Sequence, residues 1–189
     1  MQKTLNVLPF LKVTNMTQDP LNAFNRQQKA FKEEVKELAV AWHENDVNEV
    51  IDGVGDVYFV YLTLEVLAEQ MGKRYMCGQS AHALGLIQAI GIELEMLNNI
   101  TQEVIDSNMS KFDKTEEQAV ISKNAYLNKG IEVDYNLNQD TGYYYIYATK
   151  DQTVGGKIIF KGKILKSTNF VEPNFAQFHE RVAYLLGEN

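Results

Sequence analysis

The chain reads as a mainly α protein: an antiparallel helical bundle, then a three-stranded antiparallel β meander and a terminal helix. Three features predict this. Apolar residues recur at steps of three, four and seven through most of the first 129 positions, which is the signature of helices with one buried face. After Gly130 the composition turns to β-branched and aromatic runs parted by turn residues, as in short strands. Helical spacing then returns after Pro173. The segments are therefore 1–129, a helical body carrying the candidate catalytic residues; 130–170, a β appendage; and 171–189, a closing helix.

The first long helix spans about Leu21 to Trp42. Phe24, Phe31, Val35, Leu38 and Trp42 form one stripe, with helix-favouring Gln27, Gln28, Lys29, Ala30, Lys32 and Lys36 between them. His43-Glu44-Asn45-Asp46 is the expected connection. Asp46 followed by Glu49 reads as an N-cap and capping box for the next helix, which runs through Val54, Val57, Val60 and Leu64 to a stop at Gly72. A connection this short makes the two helices antiparallel neighbours.

Lys73 to Ser80 is a break. Ala81 to Ser110 is helical again, divided near Gly91, with Leu84, Ile87, Ile90, Leu94, Leu97, Ile100, Val104 and Ile105 as its apolar face. Thr115 caps a short helix opened by Glu116 and Glu117, acids suited to a helix N-terminus, and ending before Gly130. Ile131–Tyr135 and Tyr143–Tyr147 are two strands joined by the turn Asn138-Gln139-Asp140-Thr141-Gly142. A third strand spans Lys157 to Leu165, entered through Gly155-Gly156. From Pro173 a closing helix carries Phe175, Phe178, Val182, Leu185 and Leu186.

Bulk properties narrow the function. Hydrophobic residues are 45% and charged residues 23% of the chain, which suits an ordinary globular core rather than disorder. Apolar runs such as Val57 to Leu64 fall far short of the ~20 residues a membrane helix requires, so no membrane partner is expected. The N-terminus has no sustained apolar stretch of the kind that directs secretion. The single cysteine, Cys77, cannot form an internal disulfide, in keeping with a reducing compartment; the expected location is the cytoplasm. A net charge of −7 argues against polymeric nucleic acid, whose binding draws on a basic surface. A small phosphorylated ligand fits if a cation bridges it to carboxylates.

Carboxylates are the informative residues. Glu34 and Glu37 share a face of the first long helix, with Glu33 one turn before Glu37. Glu49, Asp52 and Asp56 share a face of the second. In an antiparallel pair all six can point into one groove. A run of glutamates on a helix is ordinarily a solvated face, and Glu49 has a structural reason of its own in the capping box. Asp52 and Asp56 are harder to explain so. Their helix continues as Val57-Tyr58-Phe59-Val60-Tyr61-Leu62, apolar nearly all round, and acids at the edge of a core require partners. Gly53 and Gly55 each cost the helix up to ~1 kcal/mol relative to Ala, so something approaches closely there. Converging carboxylates repel unless protonated or bridged by a cation, and hard oxygen ligands select Mg²⁺ or Mn²⁺. Such a group suits metal-assisted phosphoanhydride hydrolysis.

Glu34-Val35-Lys36-Glu37 followed by Glu49-Val50-Ile51-Asp52 resembles the E-x-x-E…E-x-x-D signature of the MazG-like, all-α nucleoside triphosphate pyrophosphohydrolases. That superfamily includes dimeric dUTPases, dCTP pyrophosphatases and phosphoribosyl-ATP pyrophosphohydrolases. Ser107-Asn108-Met109-Ser110-Lys111-Phe112 is similar to the SNMSK segment of many members. Gly162-Lys163-Ile164-Leu165-Lys166-Ser167-Thr168-Asn169-Phe170 is similar to the GK-x-LK-x-x-NY segment of bacterial and phage phosphoribosyl-ATP pyrophosphohydrolase-like proteins. The resemblance covers roughly residues 24–175. It implies a MazG-like bundle, Mg²⁺ (or Mn²⁺) held by Glu34, Glu37, Glu49 and Asp52, and Glu33 as a further ligand or the water-activating base. It implies Asp56 in the nucleotide pocket, Asn108 and Lys111 on substrate, and a homodimer or homotetramer that completes its pockets. The expected activity is cleavage of a nucleoside triphosphate to the monophosphate and pyrophosphate, in nucleotide-pool housekeeping. Phosphoribosyl-ATP is the rival substrate, and a non-catalytic helical scaffold presenting the tyrosine-rich sheet is the rival of another class. Gly130 to Phe160 has no counterpart in the minimal four-helix members.

Other features weigh less. Lys157, Lys161, Lys163 and Lys166 form a basic cluster within an acidic chain; such clusters are ordinarily solvated, but Lys163 and Lys166 stand in the resemblance segment and are candidates for phosphate. Tyr143, Tyr144, Tyr145 and Tyr147 are ordinary strand formers. His43, His82 and His179 lack metal-ligand spacing, and no G-x-x-x-x-G-K-[ST] loop is present.

Overall fold

The computed structural model describes residues 5–75 and 78–187, the side chains of Gln79 and Lys157 apart. Cys77 lies outside the described residues. The described residues are mainly helical, with a small antiparallel sheet of three strands. By contacts the chain forms two compact units. The first comprises Met1–Leu11, Asn15–Asp106 and Pro173–Asn189; the second comprises Lys12–Thr14 and Ser107–Glu172.

A helix the sequence reading omitted comes first. α1 (Leu8–Val13) is six residues long, too short to show a period, yet it carries its own start signal. The Asn6 side chain accepts the Leu8 N–H at 3.1 Å, and Pro9 sits in the first turn, where a missing N–H costs nothing. Phe10 meets Phe59 edge-on at 5.1 Å.

α2 (Pro20–Glu44) and α3 (Val47–Gln70) are the framework of the first unit. Asp19 caps α2 through the Asn22 N–H, with proline at its first positions. The expected connection is shorter than four residues: His43 and Glu44 are helical, and Asn45 ends α2 in the left-handed conformation at φ 54. Asp46 then caps α3 by accepting from the Asn48 and Glu49 N–H groups. The capping box is only half made, because the Asp46 N–H donates to the Ala41 carbonyl. Glu49 is thereby released from the duty that would have explained it.

Chain reversal over Asn45-Asp46 lays α3 back along α2, with Leu38 against Gly53. Phe31, Leu38 and Ala41 of α2 meet a core to which α3 contributes Val50, Ile51, Val54, Val57, Val60, Leu64 and Leu67. Both glycines of α3 serve helix packing. A Cβ on Gly53 would stand 3.3 Å from the Leu38 Cα, and one on Gly55 would stand 2.6 Å from Val104 Cγ2. The close approach expected at these positions is that of neighbouring helices.

α4 (Gly78–Ile90) and α5 (Leu94–Met109) divide at Gly91, φ 92, as the sequence indicates. α4 begins at Gly78 rather than Ala81. Leu84 and Leu94 are exposed, not part of the buried face, whereas Ile87, Leu97, Ile100 and Val104 are buried. α7 (Ala176–Leu186) starts three residues after Pro173 and buries Phe178 and Val182 in the first unit's core.

In the second unit α6 (Glu116–Leu127) is capped by Thr115 as expected. It packs Ala119 on β1 (Val133–Leu137) and β2 (Tyr144–Ala148), with Ile131, Val133 and Ile146 in a small core. The expected third strand is two. β4 (Lys157–Ile159) folds back on β3 (Gln152–Val154) as a separate hairpin, and only β5 (Ile164–Leu165) joins β2. The cause is local. Gly155 and Gly156, at φ 57 and 79, make a two-residue hairpin turn, and Gly162 at φ 81 breaks the chain before β5.

Candidate functional site

Glu34 is the electrostatic centre of the α2–α3 pair. Half-buried between the helices, it is pushed from its ordinary 4.5 to about 7, first by burial and then by the charges of Asp56, Glu37, Asp52 and Glu33. Every charge raising it belongs to another carboxylate, from its own helix and from the facing one. Charges from both α2 and α3 thus act on Glu34; Glu49, expected in the same groove, is not among them. The antiparallel register accounts for the Asp56 charge: Leu38 lies on Gly53, so Glu34, one turn earlier on α2, comes level with Asp56, one turn later on α3.

Glu49 occupies a neighbouring position. With Glu33, Lys36, Glu37, Val40, Ala41 and Glu44 it lines a groove of about 440 Å³ near the α2–α3 reversal. Glu33 and Glu37 belong to both sets. Glu44 is not among the sequence candidates, because the expected helix stops at Trp42 whereas α2 continues to Glu44. Its signal was legible nonetheless: Glu33, Glu37 and Glu44 follow steps of four and seven on one helix. Asp52 and Asp56 are half-buried, while Glu33, Glu37 and Glu49 are exposed.

The donor set is all carboxylate oxygen, which suits a hard divalent cation, and its mutual repulsion on Glu34 is the condition such a cation relieves. Among the described residues no three Asp, Glu, His or Cys side chains are closed into a ligand group. The oxygens are gathered, and not drawn into a shell.

Asn108, Lys111, Lys163 and Lys166 belong to the second unit. Two of the resemblance segments meet there. Lys111 donates from Nζ to Asn108 Oδ1 at 2.5 Å. The Phe170 ring has the Lys166 ammonium 3.7 Å and the Lys111 ammonium 6.0 Å from its centroid. Lys166 also pairs with Glu172 at 3.1 Å. Lys163 is exposed in the turn before β5, where its carbonyl accepts the Ala148 N–H. Sequence reasoning passed over Asp113, a carboxylate with 1% exposure held between these segments.

Comparison with protein-family models, curated proteins and solved structures finds no match to the chain. Among the described residues no helix is long and apolar enough to cross a membrane.

Proposed function

We propose that the chain is a MazG-like nucleoside triphosphate pyrophosphohydrolase, cleaving a (deoxy)nucleoside triphosphate to the monophosphate and pyrophosphate. The observation that carries this reading is the convergence of acids from both α2 and α3 on Glu34. A purely structural helix pair gains nothing from assembling like charges at the edge of its core.

Glu34, Glu37, Glu49 and Asp52 would hold Mg²⁺ or Mn²⁺. When bound, the cation supplies charge neutralisation at the phosphates and acidifies a coordinated water. Glu33, exposed at the rim, accepts the proton of the attacking water. Without the cation the Glu34 carboxyl is lifted to about 7; a bound cation would return it to its charged, ligating form. Asp56, on the same helix face one turn after Asp52, faces the nucleotide. Asn108 and Lys111 keep the substrate-binding roles the resemblance implies, and Lys163 and Lys166 remain candidates from the basic cluster, the lysines as point charges for phosphate.

The scaffold reading draws on one observation: Ile158 and Phe160 are 60% and 63% exposed, as on a surface that meets another protein. A panel of nucleoside and deoxynucleoside triphosphates and phosphoribosyl-ATP, with Mg²⁺ or Mn²⁺, separates these readings. Pyrophosphate should appear as the primary product. Inorganic phosphate as the primary product contradicts the cleavage position, and no metal-dependent turnover favours the scaffold.

A further inference from the structure

Asp113 is the most unusual polar residue in the second unit. It is buried, yet the groups meeting its carboxylate are neutral. Ser167 donates from Oγ to Oδ1 at 2.5 Å, and Asn169 Nδ2 stands 3.4 Å from the same oxygen. Oδ2 is buried and receives no hydrogen bond among the described residues. The backbone of Asp113 is tied as firmly: its N–H donates to the Tyr144 carbonyl at 2.9 Å, and its carbonyl accepts the Tyr144 N–H at 2.8 Å. One residue therefore links the start of β2 to the Ser167–Asn169 turn.

That turn is bound to the end of α5 at further points. The Ser167 N–H donates to the Lys111 carbonyl at 3.1 Å. Val171 N–H donates to Ser110 Oγ at 2.9 Å, and the Ser110 hydroxyl faces back to Ser107 and Val171 carbonyls. On the far side, Ser122 of α6 accepts the Thr168 N–H and lies 3.4 Å from Ser167 Oγ. All of this converges beside Asn108, Lys111, Lys166 and Phe170. The serine hydroxyls have several partners, whereas the Asp113 carboxylate meets the turn through one short contact, to Ser167, and one longer one, to Asn169.

We propose that Asp113 is a positioning residue: its carboxylate latches the Ser107–Asp113 segment onto the Ile164–Phe170 segment, and so fixes Lys111 and Asn108 relative to Lys166. This rests on the reading that these side chains bind substrate phosphates. Asp113 itself touches no substrate in that scheme.

The test uses the full chain and four variants: D113A, S167A, K111A and S167A/K111A. With a triphosphate that the wild type hydrolyses, S167A and D113A should each raise KM about tenfold and leave kcat within about twofold. S167A/K111A should be no worse than K111A alone, because the latch acts through Lys111. Effects that multiply in the double variant, or a loss confined to kcat, overturn the latch. S167A keeps the inference testable if D113A fails to fold. The Lys111 side-chain ammonium signal in NMR requires no turnover and so separates this inference from the hydrolase reading. It should shift in S167A. An unmoved signal overturns the latch whether or not the wild type hydrolyses nucleotide.

Discussion

The α2–α3 pair of the first unit and the small sheet of the second place acids in very different company. In the second unit Asp134 is paired with Lys123 at 2.8 Å, Glu132 with Lys150 at 2.6 Å and Glu172 with Lys166 at 3.1 Å. Glu34, by contrast, is surrounded by charges of its own sign. The same chain thus matches acids with lysines in one region and gathers acids around Glu34 in another. Pairing serves structure at little gain. Gathering raises the cost of charging Glu34, a cost that the cation proposed above would relieve.

Substitutions should sort along that contrast. The largest effect is expected from E37Q or D52N, which remove candidate ligands while keeping shape: pyrophosphate release should fall by roughly 100-fold, equal to about 2.7 kcal/mol of lost transition-state stabilisation, with the far-UV spectrum and melting temperature preserved. Turnover that survives would place the chemistry elsewhere. Next comes G55A. Its new methyl would lie 2.6 Å from Val104 Cγ2, so Val104 must turn or α5 shift, at a cost of about 1–3 kcal/mol in denaturant unfolding. Unchanged stability would show that α5 moves freely and that the α3 glycines do not set helix spacing.

A smaller effect carries a sign. The folded chain keeps the Glu34 proton up to about pH 7, whereas an ordinary glutamate releases it near 4.5. Unfolding between these values releases a proton, so this group's contribution to stability is complete below 4.5 and lost as pH rises towards 7. Relative to E34Q, the metal-free wild type should lose about 1–2 kcal/mol across that window, less than the full shift implies because the carboxyl is half exposed. Parallel stability curves for the two chains would mean that Glu34 is not crowded. The smallest effect is reserved for K123A. Lys123 and Asp134 are both partly exposed, and breaking their pair should cost under ~1 kcal/mol. A larger loss would erase the distinction between the two regions.

Long-period features were legible in the sequence, and short-range ones were not. Twenty-odd residues of apolar spacing located α2 and α3, and Asp46 and Thr115 announced their helix starts. α1 spans six residues and offered only Asn6 and Pro9 as signals. The split of the expected third strand depended on how Gly155, Gly156 and Gly162 bend the backbone, which composition alone does not rank. For the candidate site, helical spacing gave the acids of each face, but Glu44 was hidden by ending α2 too early. Asp113 was hidden because burial of an acid is a tertiary fact: its partners Ser167 and Asn169 lie more than fifty positions away.

The most direct measurement is calorimetric titration of MgCl₂ into the metal-free chain at pH 7.5, with D52N and E37Q alongside. The expected result is saturable binding to the wild type that is lost or weakened at least tenfold in both variants. Absence of binding, or equal binding to all three chains, would contradict the claim that the acids around Glu34 are gathered to hold a divalent cation.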